Sequence, residues 1–282
     1  MKKMTMVIAT TIMMSLWSVV QLANALSSEQ LQNAVYQGIY DEPVQLNEGK
    51  YEGEPFVEGG ASRPTVTLAE NLMASGDLNG DSIDDAAVIL VEDSGGSGTF
   101  SYLAAVLDQD GQPVNQATLL LGDRVNLKAI AIKDGQIVVE SIEQNEKVQK
   151  AYQVEGDQLV EKGAANLGAV SVSDLEGPTW MLTRWMPEQE LAPNTEITAI
   201  FTDGNISGSS GCNTYSAPVT DQGGGELRIG SVKGTRMACP GPIGKQEHVF
   251  LTALSTVTRF IFFSGQLVLV HDNGAFAFRP TD

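Results

Sequence analysis

Phe260-Ile261-Phe262-Phe263-Ser264-Gly265-Gln266-Leu267-Val268-Leu269-Val270-His271-Asp272-Asn273-Gly274-Ala275-Phe276-Ala277-Phe278 is three short apolar runs divided by two turn signals. Ser264-Gly265 ends the first run, and Asp272-Asn273-Gly274 ends the second. Asn-Gly readily supplies the positive φ that a tight hairpin turn demands, so this stretch predicts an antiparallel meander over 260–263, 266–270 and 275–278.

Upstream, Phe250, Ala253, Leu254 and Val257 recur at helical spacing after the break Pro240-Gly241-Pro242. They predict one helix from about 245 to 257, with its apolar face in the core. Further strands are expected at 197–201 and 205–207, turning at Asp203-Gly204, in a unit that opens near Gly177-Pro178-Thr179-Trp180. Earlier still, apolar stretches at 85–91, 100–107, 115–121, 125–132 and 136–142 alternate with turn dipeptides such as Asp110-Gly111 and Asp134-Gly135. A hairpin at 151–154 and 158–160 around Gly156-Asp157 closes that region. The fold class is therefore mostly β, with one packed helix. The stretch 162–176, rich in Ala, Gly, Ser and Val, has the composition of a connection. The expected organisation is an export signal at 1–25, an N-terminal antiparallel β domain at 26–165, a linker at 166–176 and a second domain at 177–282.

The C-terminal unit resembles the META domain family, which includes the heat-shock protein HslJ. The residues that carry this are Trp180-Met181-Leu182, then Ser207-Gly208-Ser209-Ser210-Gly211-Cys212-Asn213-Thr214-Tyr215, then Gly234-Thr235-Arg236-Met237-Ala238-Cys239, then the helix over 247–254, in the family's order. The resemblance implies a small, curved, barrel-like β domain with one helix packed on it, commonly exported, and it brings no catalytic residues. The N-terminal half is similar to an uncharacterised exported β domain, through Gly76-Asp77-Leu78-Asn79-Gly80-Asp81 and Leu121-Gly122-Asp123-Arg124.

Export is also expected from the first residues. Lys2 and Lys3 precede an apolar run at 6–20 and the small-residue pattern Ala23-Asn24-Ala25, the layout of a cleavable signal. A periplasmic or secreted protein without a stable membrane anchor follows from that reading. Removing 1–25 takes away two lysines and no acids, moving the formal charge from −18 to −20. Such a chain lacks the basic face a phosphate backbone requires, which argues against nucleic acid as a partner. Export also places Cys212 and Cys239 where a disulfide persists, and the two are expected to be bonded. The alternative is a pair of small buried hydrophobic residues that never meet.

One segment has the chemistry of a site. Asp77-Leu78-Asn79-Gly80-Asp81-Ser82-Ile83-Asp84-Asp85 puts side-chain oxygens at loop positions 1, 3, 5 and 9 and a main-chain carbonyl at 7. That set suits a hard cation, so Asp77, Asn79, Asp81, Asp85 and the Ile83 carbonyl are candidate calcium ligands. Ser82 stands where such loops usually have glycine, no glutamate follows at position 12, and the plain alternative is an Asn-Gly turn carrying solvated acids. Asp93-Ser94-Gly95-Gly96 has the look of a serine-protease nucleophile segment, but Glu92 replaces its glycine and the chain's two histidines, His248 and His271, come too late to match that order. A flexible turn explains it better, and the histidines are expected on the surface. Arg236 is expected to pair with one of the many carboxylates. The functional expectation is a non-enzymatic envelope or secreted protein that binds another envelope component, with a link to stress tolerance through the family resemblance. The rival is a hydrolase using clustered carboxylates drawn from Asp84, Asp85, Glu92 and Asp93, which would have to face one cavity.

Overall fold

The structure, a computed structural model, describes residues 25–55, 62–96, 98–187 and 189–281. The apolar run and the two lysines of the export signal lie outside the described residues. Helix α1 (Ser28–Gln32) is closed by a capping box in which Ser27 accepts from the Gln30 N–H and Gln30 reaches back to the Ser27 N–H. It leads to a two-stranded pairing of β1 (Val35–Tyr36) and β2 (Val44–Gln45). A five-stranded antiparallel sheet follows in simple order: β3 (Lys50–Glu52), β4 (Thr65–Gly76), β5 (Asp85–Asp93), β6 (Thr99–Gln109) and β7 (Gln112–Asp123).

Strand β5 shows why this sheet sits in the middle of its unit. Its run Ala86-Ala87-Val88-Ile89-Leu90 is apolar without alternation and buried at every position, the pattern of a strand covered on both faces. Ala86, Val88 and Leu90 pack with Tyr36, Val44 and Leu46 from the N-terminal segment. Ala87 and Ile89 face the other way, onto Leu127, Ile137 and Val139. Those belong to a four-stranded sheet of β8 (Leu127–Lys133), β9 (Gln136–Glu143), β10 (Glu146–Glu155) and β11 (Gln158–Ala169).

After a 3-10 turn at Val172–Leu175 come β12 (Thr179–Met186), β13 (Thr198–Thr202), β14 (Asn205–Ser209), β15 (Thr214–Gly223), β16 (Glu226–Ile229), β17 (Lys233–Gly234), helix α2 (Gly241–Leu254), β18 (Arg259–Phe263), β19 (Gln266–His271) and β20 (Gly274–Thr281). The order β14-β13-β12-β20-β19-β18-β16-β15 closes on itself through β14–β15 pairing, which makes an eight-stranded barrel with β17 added to β15. Closure removes open sheet edges. The meander forms over the expected runs, with Phe262 opposite Leu267 and Leu269 opposite Phe276. Helix α2 buries Phe250 and Leu254 completely, and the Phe250 ring lies 5.1 Å from Phe276, 5.6 Å from Tyr215 and 6.1 Å from Trp185. Full burial of each such side chain is worth about 1.5–3 kcal/mol.

Several elements differ from the sequence expectation. The stretch read as a linker is ordered structure: β11 continues to Ala169 on backbone pairing with β10, and Val170, Val172 and Leu175 are buried in the barrel core. The small residues Gly163, Ala164 and Ala165 suit an exposed strand whose side chains pack on nothing, so composition alone misled. Helix α2 begins at Gly241 rather than 245, because Pro242 lies in its first turn, where proline's fixed φ and missing N–H cost nothing. His271 is buried rather than on the surface, at 6% exposure. It continues the inward alternation of Leu267 and Leu269 along β19.

The barrel and the upstream sheets touch at defined points. The β18–β19 turn carries them: the Gly265 N–H donates to the Leu127 carbonyl at 3.0 Å, and Asn71 Nδ2 donates to the Ser264 carbonyl at 3.3 Å. Asn71 lies where the register of β4 shifts between Leu68 and Met73, a bulge that pushes the strand toward the barrel. Asp174, in the 3-10 turn, accepts from Lys147 Nζ at 2.9 Å and Lys128 Nζ at 3.2 Å. Among the described residues no helix is long and apolar enough to cross a membrane.

Candidate functional site

The Asp77–Asp85 segment is a loop between β4 and β5 that is wound around its own side chains. Asp77 Oδ1 accepts the N–H groups of Asn79 and Gly80, and its Oδ2 accepts that of Ser82. Asn79 Oδ1 takes the Asp81 N–H, and Asp81 Oδ1 takes the Ile83 N–H. The N–H groups of Gly80 and Ser82 hold the Asp77 carboxyl below the usual carboxylate range. Asp85 is fully buried and uses both oxygens, Oδ2 for the Leu78 N–H and Oδ1 for the Asp108 N–H, each at 2.9 Å. Burial pushes its carboxyl up, and those two N–H groups pull it back only in part. Gly80 and Ser82 both take positive φ, +84° and +68°; Ser82 thus adopts the conformation for which such loops usually use glycine. The oxygen chemistry fits a hard cation. The gathering is looser: among the described residues no three of these carboxylates bring oxygens within 4.8 Å of one another.

The carboxylates of the hydrolase reading do not share a cavity. Asp85 opens β5 and Asp93 ends it, which separates them by about 26 Å along an extended strand. Glu92 is buried and accepts from the Tyr40 hydroxyl at 2.9 Å. Asp84 is exposed on the loop. Asp93-Ser94-Gly95-Gly96 is a turn in which the Gly95 N–H donates to Asp93 Oδ1 at 2.8 Å and Ser62 Oγ donates to the Gly95 carbonyl at 3.2 Å.

The densest polar constellation brings together three of the motifs that carry the family resemblance, although sequence did not show which of their polar groups meet. Cys212 and Cys239 are joined by a disulfide, with Cα atoms 6.2 Å apart, and it clamps the β14–β15 turn to the approach to α2. Between them sits Asn213, 3% exposed. Its Oδ1 accepts from Thr235 Oγ1 at 2.7 Å and the Met237 N–H at 2.8 Å, and its Nδ2 donates to Glu247 Oε1 at 2.9 Å and lies 3.1 Å from Cys239 Sγ. Its main-chain N–H donates to Glu247 Oε2 at 2.9 Å, and the Ser210 hydroxyl lies 2.6 Å from that same oxygen. Burial pushes Glu247 up, yet Ser210 and Asn213 hold it below the ordinary carboxylate range. Every group here has a partner, so the constellation is a structural knot. The available signal was Glu247 lying three residues before Phe250, an acid on the buried face of an amphipathic helix. Arg236 is exposed and has no ion-pair partner among the described residues. Thr235 and Met237 on either side are tied to Asn213, which turns Arg236 outward.

Two of the concavities among the described residues bear on function. A groove of about 620 Å³ runs between the β4 bulge and the outer face of β12, β19 and β20, with Glu70, Asn71, Arg184, Phe263, Gln266 and Arg279 among its walls. Arg184 and Arg279 are exposed there and have no carboxylate partner among the described residues. A smaller pocket of about 330 Å³ lies between α2 and the β19–β20 turn. Both histidines line it, although they are 23 positions apart in sequence.

Comparison with known proteins bears on the barrel. The model of the META domain family matches residues 173–282, so a META domain is present there. A solved structure described as the NMR structure of the protein from Burkholderia xenovorans is 28% identical and covers 39% of this chain and 86% of its own, with a TM-score of 0.33. A second, described only as the NMR structure of the protein, is 20% identical over 39% of this chain and 94% of its own, with a TM-score of 0.34. No curated protein matches the chain.

Proposed function

We propose that the chain is an exported, non-enzymatic component of the envelope or its surroundings that contributes to stress tolerance by binding another envelope component. The observation that carries the reading is the groove between the upstream sheets and the META domain. In a chain with 35 acids and 17 bases, two arginines on neighbouring strands face one concavity, with the exposed Phe263 beside them. Arginine forks and an aromatic face suit a partner that offers carboxylates on an apolar framework. The Cys212–Cys239 bond supports a compartment where disulfides persist. The loop at 77–85 belongs to this proposal as a calcium site that steadies the β4–β5 connection.

The test is capture from the envelope fraction with the full chain beside an Arg184→Glu, Arg279→Glu variant. A partner held by the parent chain and lost by the variant is the expected result. Equal capture by both would remove the groove from the proposal. Hydrolysis of envelope polymers by the parent chain, abolished by Asp93→Asn, would replace binding with the enzymatic reading.

A further inference from the structure

His271 is the one buried side chain among the described residues with a polar atom that finds no partner. Its Nε2 is shut from solvent and has no hydrogen bond, while its Nδ1 accepts the Asn273 N–H at 3.3 Å. A nitrogen that accepts carries no proton, so in the neutral ring the proton sits on Nε2. Burial holds His271 below the ordinary histidine range, opposed by Asp272, and so favours the neutral ring. The ring is also fixed in place, 4.6 Å from the Phe276 ring. The result is an oriented, unpaired N–H donor, and leaving such a group buried without an acceptor is unfavourable.

This ring forms part of the wall of the 330 Å³ pocket, whose other walls include Trp185, Pro187, His248, Ala253 and Asn273. The volume lies at the small end of ligand sites, and the walls mix apolar side chains such as Trp185, Pro187 and Ala253 with polar ones that also include Gln189, Thr252 and Thr256. A metal ion fits poorly. Nε2 would have to give up its proton and present a lone pair, the Asn273 N–H opposes that tautomer, and among the described residues no third histidine, cysteine or carboxylate joins the two imidazoles. His248, by contrast, is exposed on α2, one turn from the exposed Thr252, so these two side chains form the solvent-facing part of the wall.

We propose that the pocket between α2 and the β19–β20 turn of the META domain binds a small, uncharged, ring-sized molecule that presents a hydrogen-bond acceptor to His271. The acceptor satisfies the idle Nε2–H, and the ring lies against Trp185 and the aliphatic wall of α2. Because Nε2 is closed from solvent, binding requires the outer wall to shift, with His248 and Thr252 as the moving side chains. This site is separate from the groove with Arg184 and Arg279, so either reading can fail without the other.

The test uses the full chain labelled with nitrogen-15 and titrated with benzamide, which has a carbonyl acceptor, and toluene, which has none. Saturable shifts of the His271 ring nitrogens and of the Ala253 amide are expected, with toluene binding about tenfold more weakly for want of one hydrogen bond. Ala253→Trp should fill the pocket and abolish both titrations. Thr252→Tyr, at an exposed position, serves the same purpose should the first variant not fold. His271→Phe should keep toluene binding and erase the preference for benzamide. Absence of saturable shifts in the parent chain would overturn the proposal and leave Nε2 as an unpaired buried donor. Shifts that persist in the filled pocket, or a benzamide preference that survives in His271→Phe, would overturn it as well.

Discussion

Asn213 grips Glu247 twice, through its main-chain N–H to Oε2 and its side-chain amide to Oε1, both at 2.9 Å. A turn residue and a helix residue 34 positions apart thereby become one unit, and the disulfide beside them makes the same connection covalently. The two are redundant in topology but differ in chemistry: one answers to pH, the other to reductant.

The Glu247 carboxyl is held below its ordinary range by the donors around it. A carboxyl whose folded value lies below its unfolded value contributes stability that is present above the unfolded value and lost as pH falls through the folded one. Acidification from about pH 5 downward should therefore lower the unfolding temperature of the parent chain. Glu247→Gln should unfold at a lower temperature at pH 7 and lose less on acidification. Asn213→Ala, which strands several buried partners, should cost about 2–4 kcal/mol at neutral pH. Thermal unfolding monitored against pH for the three proteins checks this, and parallel curves for parent and Glu247→Gln would refute the role given to the carboxylate.

Reduction tests the other connection. The bond closes a loop with a sequence separation of 27, for which the chain-entropy account gives about 3–4 kcal/mol. Unreduced, denatured protein should take up no alkylating reagent, and the reduced form two equivalents. Cys212→Ser with Cys239→Ser should lower denaturant stability by roughly that amount. If the double variant matches the parent, Asn213 and Glu247 hold the turn without help.

Sequence made the C-terminal meander legible because its signals are local, while the barrel-like closure was expected only from the family resemblance. The alternation and Asn-Gly turn of 260–278 specify a meander whatever surrounds it, and β5 announced itself as an unbroken apolar run. What escaped depended on distant partners. Strand β4 was unread because its pattern is interrupted at Glu70 and Asn71, where the bulge meets the barrel, and small residues in β11 read as linker because pairing with β10 leaves no side-chain pattern. His271 was legible in principle: extending the Leu267, Leu269 alternation by one step places it inside. The knot around Asn213 was visible only as a motif, since which polar groups converge depends on how the barrel closes.

Gly265 tests how the barrel is seated on the upstream sheets. It has φ +71°, and a Cβ built there would lie 2.9 Å from Leu72 Cγ, on a side chain only 1% exposed. Gly156 also has positive φ, +65°, but nothing within 4 Å. Alanine at Gly156 should cost about 1–2 kcal/mol from the backbone alone. At Gly265 it should cost about 1–3 kcal/mol more, the scale of overpacking a filled site. Chemical denaturation of the two variants measures the difference, and hydrogen exchange at the Gly265 amide, bonded to Leu127, should quicken only in the second. Equal penalties would mean that Leu72 gives way freely and that the contact does not hold the barrel in place.

The loop at 77–85 yields the last test. Asp77 Oδ1 already accepts two loop N–H groups, but Asp77 Oδ2, Asn79 Oδ1 and both oxygens of Asp81 each accept only one donor and keep a lone pair for a cation. A calcium ion needs those oxygens drawn closer than they now lie, which the exposed Asp81 can accomplish by rotation while buried Asp85 stays fixed. Ions that bind only the folded chain raise its stability by mass action. At millimolar calcium and an affinity of roughly 10⁻⁴ M, the gain is about 1–2 kcal/mol. The unfolding temperature of the full chain should rise with calcium, rise less with magnesium, which demands a tighter octahedron, and fall back with chelator. Asp81→Ala should remove the calcium increment and lower the metal-free unfolding temperature only slightly, since the Ile83 N–H and the Asn79 amide that it frees lie on the exposed side of the loop. Asp77→Ala should lower both, since it also frees the N–H groups of Asn79, Gly80 and Ser82. An unfolding temperature indifferent to calcium in the parent chain would leave the loop as a self-bonded turn, with Asp85 buried for the sake of Leu78 and Asp108 alone.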